Sequence, residues 1–164
     1  MNIVLAGMPG SGKTTVSARL AKLSGYKLID TDALIVEAHG EISRIFSEHG
    51  EEYFRDLETE AVERACAENS AVIATGGGCL LREKNVALFK NSGKIIYLRA
   101  QLPTLVKRLE GDTTRPLLKG DAESKLKQLF AARAHIYENA ADFTVDTDNL
   151  TPDKVAEKIL ELVK

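Results

Sequence analysis

Four apolar residues, Ile3-Val4-Leu5-Ala6, lead straight into Gly7-Met8-Pro9-Gly10-Ser11-Gly12-Lys13-Thr14, and apolar residues then recur at helical spacing from Val16 to Leu23. The glycine-rich segment fits G-x-x-x-x-G-K-[ST], so the chain has to leave a buried strand, curl tightly and enter a helix. Glycines let backbone N–H groups wrap around phosphate oxygens, and a helix starting near Lys13 points its positive end at the same anion. Lys13 is then placed to reach β- and γ-phosphates, and the Thr14 hydroxyl to ligate Mg²⁺. Average residue usage gives such a match by chance in about one chain in 200 of this size, so a plain turn with a solvated lysine is the minority reading.

The remaining apolar runs fall at Lys27–Ile29, Ala71–Ala74, Lys94–Leu98 and Phe143–Val145, after the first at Asn2–Ala6, and helical stretches separate them. Such alternation predicts an α/β fold, a five-stranded parallel sheet between helices, with ligands at the carboxyl ends of the strands. Gly7, Asp30, Thr75, Arg99 and Asp146 close those strands, which collects the polar chemistry on one edge. With 164 residues and 44% hydrophobic composition, one well-buried domain over 1–164 is expected. A net charge of −2 argues against a nucleic-acid partner. Cys66 and Cys79 lack metal-ligand spacing and read as small hydrophobes in a reducing compartment. There is no targeting signal and no apolar run long enough to span a membrane, so a cytoplasmic protein without membrane partners is expected.

Two long connections depart from a simple strand-helix alternation. Asp32–Asn69 has room for several helices and could hold an acceptor, with substrate-binding helices at about 32–60. Residues 111–121 carry Arg115-Pro116 between Gly111 and Gly120, which predicts a mobile lid that excludes water and brings Arg115 over the phosphates. Asp30-Thr31-Asp32 ends the second strand. By default Asp32 caps the following helix and Asp30 is a turn residue, and both roles are compatible with function. Gly76-Gly77-Gly78 follows a buried strand at an entropic cost that close approach of backbone to a ligand would justify. Arg55, with Glu58 three residues on, reads by itself as a surface ion pair of little worth, and Arg133 as an exposed helix residue.

Taken together, G-M-P-G-S-G-K-T-T, D-T-D, G-E-E-Y-F-R, A-T-G-G-G, R-P-L-L and A-A-R-A-H-I-Y occur in the order and approximate spacing of shikimate kinases, which the chain resembles from Asn2 to its end. The resemblance implies a three-layer P-loop kinase fold and transfer of the ATP γ-phosphate to the 3-hydroxyl of shikimate, on the route to chorismate and aromatic amino acids. It also implies a site for each role. Asp32, Arg55, Gly77 and Arg133 match the shikimate-binding residues. Gly10, Ser11, Gly12, Lys13, Thr14 and Thr15 match the phosphate cradle, with Lys13, Asp32 and Arg115 catalytic. Thr14 matches the Mg²⁺ ligand and Asp30 its partner through water, while Arg108 and Asp148, in the segment Val145 to Pro152, match the adenine side. ATP and shikimate are thus the expected small-molecule partners, Mg²⁺ the cofactor, and a monomer the expected state. One departure is Ala134-His135, where many members carry proline. A gluconate kinase also has a P-loop and a D-x-D-like element, but the Arg55 and Arg133 pair with a triple glycine favours shikimate. A GTPase-like switch lacks support because no N-K-x-D segment is present.

Overall fold

The computed structural model describes residues 1–110 and 122–164. Strand β1 (Asn2–Ala6) is followed by α1 (Lys13–Ser24), β2 (Lys27–Asp30), α2 (Thr31–His39), α3 (Ile42–His49), α4 (Glu51–Cys66) and β3 (Ala71–Ala74). A 3₁₀ turn at Cys79–Leu81 then precedes α5 (Glu83–Ser92), β4 (Gly93–Arg99), α6 (Leu102–Glu110), α7 (Ala122–Ala140), β5 (Phe143–Asp146) and α8 (Pro152–Val163). Each strand predicted from the sequence is present, β1 and β3 with the expected ends and the other three longer by one residue at one or both ends. The expected lid, and Arg115 within it, lie outside the described residues.

All strand pairs are parallel, in the order β2-β3-β1-β4-β5. Strand side chains alternate between faces, so each inner strand is apolar on both. Ile3, Leu5, Val72, Ile96 and Leu98 pack with Val16 and Leu20 of α1 and with Val155, Ala156 and Ile159 of α8. Their neighbours Val4, Ala6, Ile73, Ile95 and Tyr97 face the other way, onto Val62 and Ala65 of α4, Phe89 of α5, Leu105 and Leu109 of α6, and Tyr137 of α7. The outcome is three layers. A smaller cluster, Ile35, Ile45, Phe54, Leu57 and Ala61, joins α2, α3 and α4.

The topology places the ligand crevice. From β1 the chain crosses by α1 on one face, whereas from β3 it crosses by α5 on the other, so the loops after these neighbouring strands diverge. A cleft opens where two adjacent parallel strands send their chains to opposite faces. Leu5 pairs with Ala74 and Ala74 with Asp30, so the glycine-rich loop, the triple glycine and Asp30-Thr31-Asp32 all start at one level of the sheet.

Candidate active site

Gly10 and Gly12 hold left-handed conformations, with φ of +84° and +93°, in the loop that follows β1. A side chain at either would be strained, and a Cβ on Gly10 would lie 2.9 Å from Leu109 Cγ. The bond from Ser11 N–H to Met8 O, 3.1 Å, closes the loop's first turn. No side chain caps α1, which leaves its first N–H groups directed at the loop's concavity. Lys13 Nζ folds back to donate to Gly7 O. Thr14 and Thr15 are exposed on the first turn of α1. Ser11 Oγ is buried and has no hydrogen-bond partner among the described residues, an orphan that an oxygen-rich ligand in the loop would satisfy.

Across the cleft, each glycine of Gly76-Gly77-Gly78 is pressed against a different charged side chain. A Cβ on Gly76 would sit 2.5 Å from Asp32 Oδ1, one on Gly77 3.0 Å from Arg133 Nη1, and one on Gly78 would collide with Arg55 Nη1. Bare main chain is what admits one carboxylate and two guanidinium groups side by side. They arrive from α2, α7 and α4, the first and last within one connection and α7 from the far end of the chain.

Their supports differ. Arg55 is held on its own helix, donating to Glu58 Oε1 at 2.9 Å and to Glu51 Oε1 at 3.3 Å. Glu58 is only 1% exposed, which corrects the expectation of a surface pair of little worth: removing either partner would strand a buried charge. Arg82, just after the glycine loop, donates at 2.9 Å both to Glu52 and to Asp56, clasping α4 from outside. Arg133 hydrogen-bonds the hydroxyl of Tyr137, one helical turn on, and that hydroxyl donates to Gly77 O at 2.7 Å. Burial, then the neighbouring Asp30 and Glu58, push the Asp32 carboxyl up to about 6, against the opposing pull of Lys13 and Arg55.

A second expectation is corrected at the start of α2. Asp30, not Asp32, is the capping residue: its Oδ1 accepts from Ala33 N–H at 3.1 Å. Asp32 lies in the first helical turn, and its carboxylate is turned to Gly76 instead of the backbone.

On the far side of the phosphate loop, Arg108 of α6 donates to Gly10 O at 3.2 Å and to Thr147 O at 3.0 Å, bridging the loop and the connection from β5 to α8. Asp148 Oδ1 accepts from Gln101 N–H at 2.9 Å beside it. His135 is exposed on α7, and its helix runs unbroken where proline is common in the resemblance. Thr31, Arg82 and Tyr137 are the supports that sequence reasoning did not assign. Only Tyr137, four residues after Arg133 on a helix, carried a readable signal, since such pairs share a face.

The model of the family described as shikimate kinase matches residues 9–164. The chain belongs to the shikimate kinase family. A shikimate kinase of Caldicellulosiruptor bescii is 44% identical over 98% of this chain and 94% of that protein. One of Thermodesulfovibrio yellowstonii is 45% identical over 98% and 93%. Among solved structures, the shikimate kinase of Acinetobacter baumannii in complex with shikimate superposes with a TM-score of 0.91 at 35% identity, covering 99% of this chain and 92% of its own. That of Aquifex aeolicus gives 0.84 at 32% identity, with 98% and 95% covered. The P-loop kinase fold is therefore that of the shikimate kinases, over nearly the whole length of each relative.

Proposed function

We infer that the cleft between β1 and β3 is where this chain carries out its family's reaction, transfer of the γ-phosphoryl group of ATP to the 3-hydroxyl of shikimate. The observation that carries the site assignment is the glycine loop, whose three residues each admit one member of the set Asp32, Arg133 and Arg55. Shikimate has one carboxylate and several ring hydroxyls. Two guanidinium groups suit the carboxylate, and an aspartate with a Gly77 N–H suits the hydroxyls. The triphosphate belongs in the loop Gly10 to Thr15, under Lys13 and the open end of α1, with the adenine toward Arg108 and Asp148.

No group of three or more acidic, histidine or cysteine side chains is poised for a metal among the described residues. The exposed Thr14 hydroxyl and the Asp30 carboxylate are oxygen donors of the kind Mg²⁺ takes, the first directly and the second through water, since that ion keeps most of its waters and shares phosphate oxygens. When bound, the ion would neutralise charge between the β- and γ-phosphates. The protein's own part is positioning. The 3-hydroxyl oxygen forms the new bond to the γ-phosphorus while the bond to the bridging oxygen breaks, and the hydroxyl proton passes to Asp32 as the new bond forms. A carboxylate titrating at about 6 is mostly ionised at neutral pH, so it can accept that proton as the bond forms and release it to water afterwards, and a loose transition state asks no more of it. Lys13 stabilises the charge that grows on the β-phosphate. By the family resemblance, Arg115 would add positive charge at the phosphates.

Incubation with Mg-ATP and shikimate, followed by mass spectrometry, should give an acceptor carrying one added phosphate. Equal turnover of gluconate, or ATP hydrolysis indifferent to any acceptor, would overturn the reading.

A further inference from the structure

Thr31 separates the two aspartates at the end of β2 and is completely buried. Its Oγ1 accepts a hydrogen bond from Gly76 N–H at 3.0 Å and lies 3.4 Å from Cys79 Sγ. Both partners belong to the segment that carries the triple glycine. Two further bonds pin it: Gly76 O accepts from Cys79 N–H at 3.1 Å, and Gly77 O from the Tyr137 hydroxyl. The root of the loop is held separately, by Thr75 Oγ1 donating to Leu5 O of β1 at 2.8 Å.

This division matters because Asp32 is the next residue after Thr31, and its carboxylate lies against the Cα of Gly76, the residue whose N–H Thr31 holds. The Thr31 hydroxyl is therefore the direct tie between the α2 start and the glycine loop, the two walls that face each other at this point. We propose that Thr31 is a positioning residue for the acceptor, setting the separation of the Asp32 carboxylate from the Gly76–Gly78 main chain and so the fit of the substrate hydroxyls. The proposal rests on the assignment of Asp32 and Gly77 to the acceptor site. Valine would keep the shape of Thr31 but leave the buried Gly76 N–H without an acceptor, and the loop would shift to find one. The phosphate loop would stay in place, since Thr75 anchors the β3 end to β1 on its own.

The test is steady-state kinetics of Thr31→Val, Thr31→Ala and Thr31→Ser beside Asp32→Asn, varying shikimate and ATP independently. Thr31→Val should raise the shikimate KM by about tenfold, the worth of one buried hydrogen bond, and hold the ATP KM within about twofold. Thr31→Ala, which admits water to Gly76 N–H, covers the case in which valine fails to fold and should show the same selective rise. Thr31→Ser restores the acceptor and should return the shikimate KM to within about threefold of the parent. Parallel rises in both KM values, an unchanged shikimate KM, or a serine variant no better than valine would overturn the role of Thr31. If Asp32→Asn is impaired while Thr31→Val behaves as the parent, only the Thr31 proposal falls. If Asp32→Asn itself retains normal kinetics with shikimate, the acceptor site falls and Thr31 with it.

Discussion

Replacing Asp32 by asparagine should make this enzyme more stable at neutral pH while disabling it. The carboxyl titrates at about 6 in the folded chain against 3.8 for a free aspartate, chiefly because burial disfavours its charge and Asp30 and Glu58 repel it. A raised folded value means that the native state binds the proton more tightly than the unfolded chain. Stability from this group is therefore full below about pH 4 and is lost as pH rises to about 6, beyond which the cost is constant. A shift of about two units corresponds to about 3 kcal/mol, and the partial exposure of Asp32 lowers the expected gain in Asp32→Asn to about 1–3 kcal/mol at pH 8. Urea unfolding of both proteins, without ligands, between pH 4 and pH 8 would measure it. The variant's advantage should be greatest at pH 7–8, shrink below pH 6 and vanish near pH 4. In parallel, the parent's kcat/KM for shikimate should fall on the acid side with an apparent pKa of about 6, since that ratio reports the free enzyme. An asparagine variant no more stable than the parent at pH 8 would refute the buried-charge argument. A kcat/KM flat down to pH 5 would refute the need for ionised Asp32.

Lys13→Met should reduce turnover by at least 100-fold with little loss of stability, because it removes several kcal/mol of charge stabilisation at the phosphates; near-normal kcat would sink the P-loop assignment. Gly78→Ala should displace Arg55 from its place beside the loop and raise the shikimate KM about tenfold or more, with ATP binding by calorimetry unaffected. Arg133→Lys keeps the charge but loses the planar fork and the bond to Tyr137, so shikimate affinity should drop by about 1–3 kcal/mol in a direct titration. Asp30→Asn should raise the Mg²⁺ concentration needed for half-maximal activity, read from a metal titration of turnover, and asparagine's own capping ability should keep α2 intact.

The strands and the phosphate loop were legible because their signals are local. An apolar run before glycines, as at Ile3 to Gly7, says strand and turn whatever surrounds it. Asp30-Thr31-Asp32 was harder. Either aspartate can cap a helix from sequence alone, and only the place where α2 begins, two residues earlier than expected, made Asp30 the cap and freed Asp32 for Gly76. Glu58 looked like the outer half of an exposed pair because i,i+3 spacing tells which residues meet on a helix and nothing about whether another layer covers them. Thr31 and Arg82 left no trace at all. Their partners, Gly76 for one and Glu52 and Asp56 for the other, sit tens of residues away and are brought near only by the pairing of β2 with β3 and the packing of α4 on α5.

The triple glycine bears on how such an enzyme can change over time. A pocket floor made of bare main chain offers no side chain to exchange, and any residue larger than glycine there adds bulk against Asp32, Arg133 or Arg55. Mutation therefore has one direction available at the floor, toward blockage. A lineage adapting this scaffold to a different acceptor would have to rewrite the walls, α2, α4 and α7, and leave the floor as it found it. Those walls come from two crossovers, α2 and α4 from the one between β2 and β3 and α7 from the one between β4 and β5, so they can be altered without replacing any residue of the glycine loop.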